Sequence, residues 1–189
     1  MQAPRSFEVE AKGRAPDLRR VEATITAMGA ILATNKLERD EYFAHPSRNF
    51  ASTDEALRLR ITTADDGGGW SRAELTYKGP KLDATTKSRA EETIEVAVDE
   101  ADRLRWILGS LGFKLVAKVV KSRREFELEG LTICLDDVEG VCTYVEVELL
   151  APDLEAARER VLAMFAKLGL EGNERRSYLE LLLERQKAH

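Results

Sequence analysis

Cysteine is scarce: Cys134 and Cys142 are the only two in 189 residues. They are too few for a disulfide framework and form no paired CxxC metal motif. His45 and His189 are the only histidines, which leaves little room for a histidine triad or a His-rich zinc site. No stretch approaches the ~18 uninterrupted apolar residues of a membrane span. The opening MQAPRSFEVEAK lacks the apolar core of a signal peptide, so a cytoplasmic protein without a membrane partner is expected. A basic surplus is also missing: the net charge of −5 and pI near 5.3 argue against nucleic acid as a partner. No linker-like composition shift or low-complexity tract divides the chain, so residues 1–189 are expected to form one domain.

What is present is a globular composition, 43% hydrophobic with 33% charged residues, too apolar for a disordered chain. Helical periodicity appears over 17–28, 100–111, 153–168 and 174–187, with Asp99 expected as the N-cap of the second helix. The first three end in Met28-Gly29-Ala30, Leu111-Gly112-Phe113 and Leu168-Gly169-Leu170, a glycine stop followed by an apolar residue. Period-two alternation marks strands over Phe7–Gly13, Glu38–Phe43, Ala56–Ile61, Ala73–Lys78, Arg89–Val98, Leu115–Glu127, Leu131–Leu135 and Tyr144–Leu150. Pro80 should end the fourth strand, and Glu129-Gly130 and Glu139-Gly140 read as turns. The fold class expected is α+β: a closed eight-stranded antiparallel β-barrel, a tunnel, with helices packed outside.

The strands carry the chemistry on one face. Glu8, Glu10 and Lys12 oppose Val9 and Ala11; Arg58 and Arg60 oppose Leu57, Leu59 and Ile61; Glu146 and Glu148 oppose Val145, Val147 and Leu149. Lys78, Lys121 with Arg123, Asp136, and Arg89 with Glu91 repeat the pattern. Any one such strand reads more readily as part of a sheet with one wet face. Taken together, with helices covering the apolar faces, the charges converge inside the curve, where they need a ligand or metal to complete them. Carboxylates spaced at i, i+2 on a strand suit oxygen coordination of Mg²⁺ or Mn²⁺. Arg and Lys suit a polyphosphate.

These segments resemble the CYTH domain, the triphosphate tunnel metalloenzymes. Glu8-Val9-Glu10-Ala11-Lys12 is similar to the family's ExExK signature. The likeness continues through Asp40-x-Tyr42-Phe43, Ala56-Leu57-Arg58-Leu59-Arg60, Leu75-Thr76-Tyr77-Lys78-Gly79-Pro80 and Lys87-Ser88-Arg89-x-Glu91. It extends through Lys121-x-Arg123-Arg124, Leu135-Asp136-Asp137-Val138-Glu139-Gly140, Tyr144-Val145-Glu146-Val147-Glu148 and Ser177-Tyr178, and looks closest to the class IV adenylate cyclase branch. The resemblance implies that Lys12, Arg58, Arg60, Lys78, Arg89, Lys121 and Arg123 grip a triphosphate substrate. It further implies that Glu8, Glu10, Asp136, Glu146 and Glu148 hold Mg²⁺ or Mn²⁺, and that Lys12, Arg58 and Lys121 have catalytic roles. Cys142 stands where relatives usually have glycine, which bears on the local turn and not on the acidic pair after it.

The implied reaction is conversion of ATP to cyclic AMP and pyrophosphate. Hydrolysis of inorganic, thiamine or nucleoside triphosphate is the alternative, and a non-catalytic polyphosphate-binding module a third reading. No residue set identifies adenine, and pairing into a homodimer is left open, as are the roles of Glu91, Arg175 and Arg176. Both cysteines read as packing residues, as do Trp70 and Trp106, in a loop and a helix.

Overall fold

The computed structural model describes residues 7–65, 68–81, 89–170 and 172–187, and the side chains of Phe7, Glu8, Lys81 and Arg89 lie outside that description. Eight strands run through it: β1 (Phe7–Arg14), β2 (Ile31–Ala44), β3 (Ala56–Ala64), β4 (Ser71–Lys81), β5 (Arg89–Val96), β6 (Lys114–Leu128), β7 (Leu131–Val138) and β8 (Cys142–Ala151). The helices are α1 (Leu18–Ala27), the single turn α2 (Phe50–Thr53), α3 (Ala101–Ser110), α4 (Leu154–Lys167) and α5 (Tyr178–Lys187).

Local chemistry sets the helix ends. Asp17 and Asp153 cap α1 and α4, their carboxylates accepting from Arg20 N at 3.0 Å and Ala156 N at 3.1 Å. The three glycine stops close as expected. Ala30 N–H donates to Ile25 O at 2.9 Å, Phe113 to Leu108 at 3.0 Å and Leu170 to Phe165 at 3.3 Å, the six-to-one bonds of a Schellman motif. Asp99, however, does not cap α3: it lies in a 3₁₀ turn over Val98–Glu100, and Glu100 takes the cap position without a side-chain bond. The last helix begins at Tyr178, later than the apolar spacing suggested.

Most strands outrun their alternating cores, while β5 stops at Val96, short of the expected Val98. β2 starts at Ile31 and β7 reaches Val138 because each finds a long partner in β6. β4 continues through Gly79-Pro80 to Lys81, but its register against β5 slips between Lys78 and Lys81, where proline offers no N–H to the ladder. Glu129 and Gly130, at φ 53° and 72°, make the left-handed two-residue turn that a twisted hairpin favours.

All seven pairings are antiparallel, in the order β1-β8-β7-β6-β2-β3-β4-β5. The barrel expected from sequence is not closed by hydrogen bonds: among the described residues β1 and β5 are edges and do not pair. The sheet is instead a curled trough, since Glu10 and Lys12 of β1 and Glu91 of β5 line the same cavity.

Helices α1 and α4 cover the apolar face of β1, β6, β7 and β8, with Ile25, Val161, Phe165, Ile133, Val145 and Val147 buried together. Helix α3 covers β2, β3 and β4 around Phe43, Leu59 and Leu108. Helix α5 departs from the expected outer layer: Tyr178, Leu181 and Leu182 pack against Ala117, Val119, Val138 and Tyr144 on the charged face. That face can seat a helix there because β6, β7 and β8 become apolar at this end. Trp106 is 72% exposed and Trp70 41%, so neither serves the core packing expected of it. None of the described helices is long and apolar enough to cross a membrane.

Candidate active site

The concave face encloses a cavity of about 720 Å³ whose lining includes Glu10, Lys12, Arg58, Arg60, Lys78, Lys121, Arg123, Glu146 and Glu148. Nine sequence-predicted residues therefore meet in one place. They do so because period-two alternation sends their neighbours Ala11, Leu59, Val145 and Val147 into the outer cores. Asp136 lies beneath this surface with no exposure. Glu8 and Arg89 are described by backbone alone: Glu8 pairs with Leu150 and Arg89 with Lys81. Lys87 and Ser88 lie outside the described residues, as do Asp66, Gly67 and His189.

One wall belongs to β2, β3 and β6. Arg60 donates to both oxygens of Asp40, from Nε at 2.6 Å and Nη2 at 2.7 Å, and its Nη1 stands 2.9 Å from Glu38. Lys121 Nζ is 2.6 Å from Glu38, and Arg58 Nη1 is 3.9 Å from Asp40. Burial alone would raise the carboxyl pKa of Glu38 and Asp40. The charges of Lys121 and Arg60 at Glu38, and of Arg60, Lys121 and Arg58 at Asp40, overcome it and hold both below the usual range. Arg58 Nε is buried without a hydrogen-bond partner. Here Asp40, Glu38 and Lys121 are deepest, at 3%, 3% and 4% side-chain exposure, and Arg58 and Arg60 are outermost, at 13% and 15%.

The opposite wall belongs to β1, β7 and β8, with Arg123 of β6. Arg123 donates to Asp136 Oδ1 from Nε at 2.7 Å and to Oδ2 from Nη2 at 2.5 Å, and Nη2 also bonds Glu146. Tyr178 OH adds a 2.7 Å bond to Asp136. Burial would lower the Arg123 pKa, yet the charges of Asp136 and Glu146 push it above its ordinary value. Burial, then the same two carboxylates, raises that of Tyr178. Here the outermost group is an acid, above Arg123 at 10%, Glu146 at 8% and Asp136 at 0% side-chain exposure. Glu148, 21% exposed, stands over Arg123, whose Nη1 is 4.0 Å away, and Glu10 faces Glu148 directly across the β1–β8 register.

Between the walls, Lys12 Nζ lies 3.8 Å from Glu146 and 4.4 Å from the centroid of the Tyr178 ring, with Lys121 at 5.5 Å from the same ring. The Lys12 ammonium also donates to the Arg176 carbonyl at 2.6 Å. The Arg176 side chain turns away to Glu174 and Glu184, while Arg175 lines the cavity. Lys78 and Glu91 pair at 2.8 Å on the β4–β5 edge. Cys134 is buried beside these groups, whereas Cys142 is half-buried and accepts a 3.0 Å bond from Arg14 Nε.

Glu38, Asp40 and Tyr178 were not among the residues assigned from sequence. Two signals pointed to them: Glu38 and Asp40 repeat the i, i+2 acidic spacing of β1 and β8, and Tyr178 closes the last quoted motif.

The CYTH domain profile matches residues 6–178, and that span contains both walls. The chain belongs to the CYTH family. Enzymes of this family act on triphosphates with divalent metal ions. A Methanocaldococcus jannaschii protein, provisionally named an adenylate cyclase, is 34% identical over 93% of this chain and 98% of its own. The adenylate cyclase CyaB of Aeromonas hydrophila is 26% identical over 93% of this chain and 88% of its own. Both relatives fit the class IV adenylate cyclase branch. Among solved structures, a Pyrococcus horikoshii protein superposes with TM-score 0.84 at 40% identity, covering 95% of this chain and 99% of that one. A Hippeastrum protein, provisionally an adenylyl cyclase and described with a dominant triphosphatase activity, shares the fold at TM-score 0.69 and 19% identity over 94% of this chain and 96% of its own.

Proposed function

We propose that this CYTH protein is a metal-dependent adenylate cyclase of the class IV kind, converting ATP to cyclic AMP and pyrophosphate. The observation that carries the reading is the convergence of Lys12, Arg58, Arg60 and Lys121 with Glu10, Glu146 and Glu148 on one cavity. Arg58, Arg60, Lys121 and Lys12, which line the cavity, would bind the phosphate oxygens and stabilise the charge growing on the leaving pyrophosphate. Lys78 and Arg89 would extend this grip along the β4–β5 edge. The names of the two adenylate cyclase relatives support the choice of ATP.

The donor set also fits a hard divalent cation, Mg²⁺ or Mn²⁺. Glu10, Glu146 and Glu148 offer carboxylate oxygen on adjoining strands, with Glu8 next along β1. Among the described residues no three such groups converge as a ready-made cation site, so substrate oxygens would complete the set. Asp136, engaged by Arg123 and Tyr178, would orient Arg123 and through it Glu146. When bound, the cation supplies charge neutralisation and lowers the pKa of an oxygen nucleophile. The chain's own part is to hold the triphosphate extended between the walls and to hold Glu146 and Glu148 beside Arg123.

The walls contact a triphosphate whatever it is attached to, so hydrolysis to orthophosphate is the competing outcome. Incubation of the purified protein with Mn²⁺ and, separately, ATP, tripolyphosphate and thiamine triphosphate discriminates. Cyclic AMP with pyrophosphate is expected. Orthophosphate without a cyclic product replaces the cyclase by a triphosphatase, and tight binding without any product leaves a binding module.

A further inference from the structure

Glu38 and Asp40 touch every base of the β2–β3 wall. Asp40 stands directly opposite Arg60, and Glu38 directly opposite Lys121, in the strand registers. From there Asp40 engages Arg60 through both carboxylate oxygens and approaches Arg58, while Glu38 bridges Arg60 and Lys121. Neither acid is free to meet a cation: both are buried, and each already has basic partners within 3 Å. Glu38 does not line the cavity at all.

We propose that Glu38 and Asp40 are positioning residues, which fix the guanidinium groups of Arg58 and Arg60 and the ammonium of Lys121 in place for a polyphosphate and take no part in binding metal. The physical reason is where an entropic cost falls. Arg and Lys side chains lose much rotamer freedom when they clamp an anion. Buried carboxylates that hold them beforehand move that loss from the binding step to folding. The two-point contact with Asp40 also sets the plane of the Arg60 guanidinium, which a single contact would leave free to rotate. This inference rests on the triphosphate reading of the cavity.

Asp40→Asn and Glu38→Gln, which keep shape and remove charge, test it by calorimetric titration with tripolyphosphate in EDTA. In each variant the dissociation constant is expected to rise about 10–100-fold, while the divalent-ion concentration giving half-maximal activity stays that of the wild type. In an Arg60→Ala background, Asp40→Asn should add little further loss, because the base it acts through is gone. Unchanged metal-free affinity with a raised metal requirement would make the acids cation ligands and overturn the proposal. An equal loss in both backgrounds would make their role one of general folding, and would overturn it too. If Asp40→Asn does not fold, Glu38→Gln, which leaves the Asp40–Arg60 pair in place, carries the same measurement with Lys121→Ala as its background. A wild-type protein that binds tripolyphosphate but makes no cyclic AMP ends the cyclase reading alone. One that binds no triphosphate ends both.

Discussion

The two walls of the cavity use the same parts but end on different outermost groups. In each, an arginine is held at two points by an aspartate on the neighbouring strand, Arg60 by Asp40 and Arg123 by Asp136, and a glutamate closes on the same guanidinium. On the β2–β3 side the outermost groups are the bases Arg58 and Arg60, over Asp40, Glu38 and Lys121. On the β1–β8 side the outermost group is the acid Glu148, over Arg123, Glu146 and Asp136. Composition alone does not set the sign that a charged surface presents. Depth does, because the buried member of a pair is compensated while the outer member keeps its field toward the ligand.

The largest effect should come from breaking the deeper pair. Arg123→Met leaves Asp136 buried with Tyr178 as its main partner, and the expected loss of stability is about 3–5 kcal/mol by urea unfolding. Arg60→Met should cost less, since Arg58 and Lys121 stay beside Asp40. If Arg60→Met proves the more damaging, the ranking of the walls by depth is wrong. Glu148→Gln comes next. It removes cation-facing charge, so turnover should fall by about 100-fold, while metal-free tripolyphosphate affinity and the unfolding midpoint are kept. Wild-type turnover in that variant would take Glu148 out of the metal set. Tyr178→Phe is the mildest: it deletes one hydrogen bond to a carboxylate that Arg123 still holds, at about 1.5–3 kcal/mol, and preserves the ring beneath Lys12. A drop in triphosphate affinity in that variant would mean that the hydroxyl, and not the ring, orders the lysine.

The strand faces were legible before the structure was, because a period of two allows only two assignments and the apolar set must be buried. Gly29, Gly112 and Gly169 marked helix ends for a similarly local reason, as only glycine takes their positive φ cheaply. The role of an acidic pair was less legible. Glu38-x-Asp40 and Glu146-x-Glu148 have the same spacing, and what separates them is the residue across the ladder. Lys121 and Arg60 oppose the first pair, while Lys12 and Glu10 oppose the second. That register belongs to strands far apart in the chain. Closure was illegible for the same reason, since it depends on whether the edges β1 and β5 pair, and among the described residues they do not. The inward seat of α5 was hidden because an amphipathic helix shows which of its sides is apolar and not which face of a sheet will receive it.

The backbone of Lys12 is fastened to the far end of the chain. Its N–H donates to Asn173 Oδ1, its carbonyl accepts from Glu174 N–H, and its ammonium reaches the Arg176 carbonyl. A polypeptide leaving the ribosome presents Lys12 161 residues before Asn173 and 164 before Arg176. The strands can pair as they emerge, but the surroundings of this lysine do not exist until those residues follow. A nascent chain that has not reached Arg176 therefore carries an unfinished site.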